Sequence, residues 1–258
     1  FVVVVSSSSS VAAVSSSAAL DGVGLLEMLR CGAGDCYAKP ASLDWDSPLA
    51  RRGLSLVLQG AAERRSVPFG TAQLQPRVPI QCAISNAPRS VMVISAGFAG
   101  FSWLLATLNA LPPDPDLAVL VVGTFDMLHM GVIARYLSRF STLSTTHMER
   151  EFRIEGGQVA VVDHLLDWRL TSLGTSRAVI GPAGSERPTV VDVLATEIAA
   201  SVRGQVDLVV LPGSRPVDVA SVEHTPGIRV LRTDGPQTLQ RAMRTGFGRG
   251  AGTPVQVV

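Results

Sequence analysis

The run Leu117-Ala-Val-Leu-Val-Val122 carries no polar side chain and ends at Gly123. Six apolar residues are too few for an ordinary helix, and a strand with both faces apolar belongs inside a sheet covered on two sides. Ser90–Ser95, Gln158–Val162, Val206–Leu211 and Ile228–Leu231 read as strands of the same kind, with a shorter one at Ala178–Ile180. Helical segments alternate with them. Ala99–Leu111 is an apolar helix ended by Pro112-Pro113, and Thr189–Val202 and Gln237–Arg244 follow later. Strands alternating with helices imply a layered α/β fold.

The flanking regions follow the same grammar. Val2–Val5 reads as a buried first strand, and Asp21 caps a helix through Leu25, Leu26, Met28 and Leu29. Residues 33–47 read as loop. Ser47-Pro48 opens a further helix, with proline at its first position. Ser66–Thr71 reads as strand and turn, and Pro254–Val258 as a closing strand. The chain divides into an N-terminal half, 1–140, and a C-terminal half, 150–258, of one domain. Phe1 in place of Met reads as a lost start. The five-residue apolar run it begins, Phe1–Val5, is too short, and lacks the basic flank, for a secretory signal.

Composition narrows the function classes. A 47% apolar chain of 258 residues can bury a substantial core. The net charge of +1 offers no basic stripe for nucleic acid. Leu104–Val122, the most apolar long stretch, is broken by Asn109, Pro112, Pro113, Asp114 and Asp116, so no membrane span is expected. An odd set of cysteines, Cys31, Cys36 and Cys82, points to a reducing, cytoplasmic compartment. Lys39 is the only lysine, which leaves almost no amine for Schiff-base chemistry.

Ser-Val-Met-Val-Ile-Ser-Ala-Gly-Phe-Ala-Gly-Phe (Ser90–Phe101), the helix behind it and Leu117–Asp126 resemble the nucleophile-elbow region of the β-ketoacyl synthases. Val2–Gly34, Phe152–Val162, Val206–Glu223 and Thr245–Val258 resemble further segments of that family, in order. The resemblance implies a thiolase-like fold, two similar α/β halves in a helix–sheet–helix–sheet–helix sandwich. It also implies that the catalytic positions are degenerate. Phe98 stands at the nucleophilic cysteine, and Pro212 and Pro236 stand at the two histidines. Without thiolate or imidazole, no acyl chain can be held or malonyl group decarboxylated.

That pattern resembles the non-catalytic chain-length-factor subunits. The implied function is to pair with an active β-ketoacyl synthase, shape its acyl tunnel and dock an acyl carrier protein, with no cofactor or metal. Phe98, Phe101 and Leu105 would then line the tunnel, Phe101 and Leu105 being four apart on one helix face. Core packing is the plainer reading for each. Val91, Met92, Val93 and Ile94 would form an edge strand that extends the partner's sheet, an aggregation liability if uncovered. Arg51, Arg52, Arg64, Arg65 and Arg89 are candidates for an acidic carrier protein, or solvated surface.

Other motifs point elsewhere. Gly123-Thr-Phe-Asp-Met-Leu-His-Met-Gly131 resembles the nucleotidyltransferase signature, with His129 present and Val132 at the second histidine. Cys82 is a candidate displaced nucleophile of an acyltransferase. Cys31 and Cys36 lack the further ligands zinc needs, and read as small buried thiols. His164 with Asp163 and Asp167 is either an acid–base cluster or the solvated face of a short helix.

Overall fold

A computed structural model of the chain describes residues 3–7, 10–16, 22–30, 35–39, 74–78, 80, 87–97, 100–125, 130–172, 179–182, 190–202, 204–211, 217 and 219–232. The first elements are strands β1 (Val3–Ser7) and β2 (Ser10–Ser16), helix α1 (Gly22–Arg30) and strand β3 (Asp35–Lys39). The strands form their own three-stranded sheet, in which β1 and β2 make an antiparallel hairpin. The first strand therefore lies outside the main sheet.

The main sheet draws on β4 (Ser90–Gly97), β5 (Leu117–Thr124), β6 (Ser144–His147), β8 (Gln158–Asp163), β11 (Gln205–Val210) and β12 (Ile228–Arg232). Its six strands run in the order β12-β11-β4-β5-β8-β6 and every neighbouring pair is parallel. Helices α2 (Phe101–Ala110) and α3 (Met130–Leu137) follow β4 and β5; α4 (Val191–Ser201) precedes β11 and α5 (Val219–Glu223) follows it. Strands β7 (Phe152–Arg153), β9 (Trp168–Ser172) and β10 (Val179–Pro182) form a small antiparallel sheet in the order β7-β10-β9.

Strand alternation sorts the core into two layers. Met92, Ile94, Val119, Val121, Val159 and Val161 pack on one face against α1, α2 and α3. Val91, Val93, Leu120, Val162, Val206 and Leu208 pack on the other, against Leu194 and Ile198 of α4, Val222 of α5 and Trp168. Both faces being covered explains why these strands are continuously apolar. In α2 the first eight residues are buried, and the Thr107 hydroxyl is satisfied by donating to the Trp103 carbonyl (2.7 Å).

The layered α/β expectation holds, but its thiolase-like form does not. Strands from residues 90–147 and from 158–232 interleave in one sheet, rather than forming two similar halves with a sheet each. Val91–Ile94 is likewise no edge. β4 pairs with β11 along Ser90–Ser95 and with β5 along its whole length, so its backbone groups are taken on both sides. The outer strand β6 is the polar Ser-Thr-Thr-His, a sequence suited to an open edge. The segment that carries His164 and Asp167 is a turn leading into β9, not a short helix; the alternation Trp168-Arg-Leu-Thr-Ser has the period of a strand.

Candidate functional site at the carboxyl edge of the sheet

In open parallel sheets, ligands bind beyond the carboxyl ends of the strands, at the point where connections change face. Here β4 leads to α2 on one face, and β11 leads to α5 on the other. Ser95 lies on β4 beside that point, and Thr124, Asp163 and His164 lie at the carboxyl ends of the next two strands, β5 and β8.

Ser95 is fully buried, and its Oγ makes no hydrogen bond to the described residues. It points to the face covered by α4, as Val91 and Val93 do. Thr124, two residues beyond Val122 on β5, points to the same face, is partly exposed and donates its hydroxyl to the Ala96 carbonyl (3.1 Å). Gly123 must lack a side chain, because a Cβ there would lie 2.6 Å from the Phe125 ring.

His164 continues the ladder past the last β8 pair, Gly123↔Asp163, its backbone N–H donating to the Gly123 carbonyl (3.3 Å). It therefore sits beside Thr124 on the neighbouring strand, with parallel strands spaced about 4.8 Å apart. Its ring turns back so that Nδ1 lies 2.7 Å from the Gly123 oxygen. A carbonyl oxygen only accepts, so Nδ1 carries the proton and Nε2 the basic lone pair. Asp163 Oδ1 lies 3.5 Å from the same Nδ1 and accepts the Leu165 N–H (2.8 Å).

These positions revise several expectations. His164 is 1% exposed, not on a solvated face. Asp167 belongs to a different group, paired with Arg169 (3.1 Å). Phe101 and Leu105 are fully buried, and the Phe101 ring meets Phe125 edge-on at 5.8 Å and Tyr136 at 5.9 Å. Arg89, 85% exposed, lies 3.4 Å from Asp116. Phe98, Pro212, Pro236, Cys31, Cys82, His129, Arg51, Arg52, Arg64 and Arg65 lie outside the described residues, and so do the side chain of Cys36 and the segments 47–71 and 233–258. Thr124, inside the Gly123–Gly131 motif, is absent from the residues the sequence marks as functional; its place as the last, partly exposed residue of an otherwise buried strand is the signal that identifies it. Among the described residues no group of three potential metal ligands occurs, and no helix is long and apolar enough to cross a membrane.

The family model described as CheB methylesterase matches residues 92–216, which run from β4 past the end of β11. A solved structure, the Thermotoga maritima CheB methylesterase catalytic domain, is 18% identical, with a TM-score of 0.47, and the match covers 56% of this chain and 78% of that one. No curated protein matches the chain. The family match overturns the β-ketoacyl synthase resemblance and what followed from it: the chain-length-factor role, the ketosynthase and acyl-carrier partners, and the tunnel that Phe98, Phe101 and Leu105 were to line. The nucleotidyltransferase and Cys82 acyltransferase alternatives find no support there either.

Proposed function

We propose that this chain is a cytoplasmic methylesterase-type α/β domain that hydrolyses carboxyl methyl esters, with the methylated carboxylates of a chemotaxis receptor as their source. The observation that carries the reading is the methylesterase family match over 92–216, within which β5 ends in Thr124 and His164 directly follows β8.

The partly exposed Thr124 hydroxyl is the nucleophile; to react it turns from the Ala96 carbonyl toward His164, which takes its proton at Nε2 while Nδ1–H stays on the Gly123 carbonyl. Attack on the ester carbonyl forms a tetrahedral intermediate. The first-turn N–H groups of α2, which no side chain caps, face the same edge and stabilise its oxyanion. Collapse breaks the bond to the methoxy oxygen, which takes the proton from His164 and leaves as methanol. Water then attacks the acyl-threonine with the same base, freeing the carboxylate and restoring Thr124.

The test is methanol release from a peptide bearing a glutamate methyl ester. Thr124→Val and His164→Gln should each lower it by about a hundredfold or more. Release that is absent from the parent chain, or unchanged in both variants, overturns the proposal.

A further inference from the structure

We infer that Trp168 is a positioning residue which, through its indole N–H, sets the ring orientation and tautomer of His164; its place in catalysis rests on the methylesterase reading above. Trp168 is fully buried, yet its Nε1–H donates to the Asp163 carbonyl at 2.6 Å, closing the 163–167 turn at its base. Inside the turn, Asp163 Oδ1 accepts the Leu165 N–H (2.8 Å). His164, at the second position, is drawn beneath the sheet edge with Nδ1 on Gly123.

The turn holds an arrangement that hydrophobic burial opposes. Leu165 and Leu166 are 50% and 41% exposed, whereas the polar His164 is 1% exposed. Exposing apolar side chains while burying an imidazole is unfavourable, so directed hydrogen bonds must select this arrangement. The indole bond spans the turn from Trp168 to Asp163. The Phe152 ring meets the indole edge-on, 6.0 Å away at 63°.

A tryptophan needed only for its volume would be replaceable by any isostere. The deciding variant therefore carries β-(3-benzothienyl)alanine at 168, which keeps the shape and lacks the N–H; Trp168→Phe is the second. The readout is the His164 tautomer, from long-range proton–nitrogen correlation spectra of ring-labelled protein. In the parent chain the proton should reside on Nδ1. In the analogue it should redistribute toward Nε2, the preference of free imidazole, with the melting temperature nearly unchanged. Methanol release should fall about tenfold or more in kcat with KM preserved, since misorientation of a reacting group is costly. A folded analogue with the parent tautomer overturns the inference, whatever its activity. A shifted tautomer in a chain that releases no methanol upholds the positioning role and rejects the methylesterase reading.

Discussion

Arg229 holds Asp207 through both carboxylate oxygens, Nε to Oδ1 at 2.9 Å and Nη2 to Oδ2 at 2.6 Å, across the parallel strands β12 and β11. Their side chains are 16% and 5% exposed, and Gln205 adds a third hydrogen bond to Oδ1 (2.8 Å). Removing one partner strands a buried charge. Arg229→Met should cost about 3 kcal/mol in urea unfolding. The double variant Asp207→Leu, Arg229→Met should recover part of that loss. Equal losses in the single and double variants would mean that the pair is not coupled.

The junction of α1 and α3 should make stability depend on pH at both extremes. Burial alone would raise the Glu27 carboxyl, but the Arg30 guanidinium at 2.7 Å, the Tyr136 hydroxyl and Arg139 outweigh it and hold Glu27 below the ordinary carboxylate range. The folded chain then binds fewer protons than the unfolded one. Its contribution is present above the unfolded value of about 4.3 and is lost as pH falls through the lower folded value. Tyr136 runs the other way, since burial and the Glu27 carboxylate push its phenol up. That contribution is present below about pH 10 and declines above it, as the unfolded chain ionises first. Glu27→Gln should flatten the acid limb of a Tm-against-pH curve, and Tyr136→Phe the alkaline limb. Unchanged limbs would remove these groups from the account.

Phe101→Ala should destabilise the chain by about 3–5 kcal/mol, the loss typical of a buried phenylalanine. The ring is fully buried against Phe125 and Tyr136 at the first position of α2, where the helix leaves the site. Calorimetry measures the cost; a change under about 1 kcal/mol would mean that the cavity refills.

Gly204→Ala is the backbone counterpart. An added Cβ would come within 1.9 Å of the Arg89 carbonyl oxygen, at the amino ends of β4 and β11. Overpacking against fixed backbone should cost at least about 2 kcal/mol, visible as a lower urea midpoint. A neutral result would mean that the two strand ends separate freely.

The regular elements were legible because their signal is local. Ser90–Ser95, Leu117–Val122, Gln158–Val162 and Val206–Leu211 fall within a residue or two of the strands β4, β5, β8 and β11, because burial on two faces leaves an apolar run that propensity alone detects. Ala99–Leu111 and Thr189–Val202 likewise bracket α2 and α4. Strand order was not legible. The hydrophobicity of Val91–Ile94 is the same whether its neighbour is a partner chain or β11, more than a hundred residues further on. The burial of His164 was not legible, because Asp163 and Asp167 suggest solvent, whereas its ring is held at Gly123 on another strand. Such contacts leave no mark in a window of ten residues.

The position of β4 also constrains how the chain must be made. One of its neighbours, β5, is complete by residue 124, but the other, β11, is not synthesised until residues 205–210. Throughout that interval a growing polypeptide carries Val91-Met-Val-Ile94 with one side of its backbone unclaimed. The polar border that β6 supplies lies at the opposite end of the sheet and gives no shelter. Chains released before residue 205 should aggregate, by light scattering, while those extended through β12 stay dispersed; the reverse order would mean that something other than β11 covers that side. The hazard belongs to biosynthesis, and it ends when β11, more than a hundred residues later in the chain, arrives beside β4.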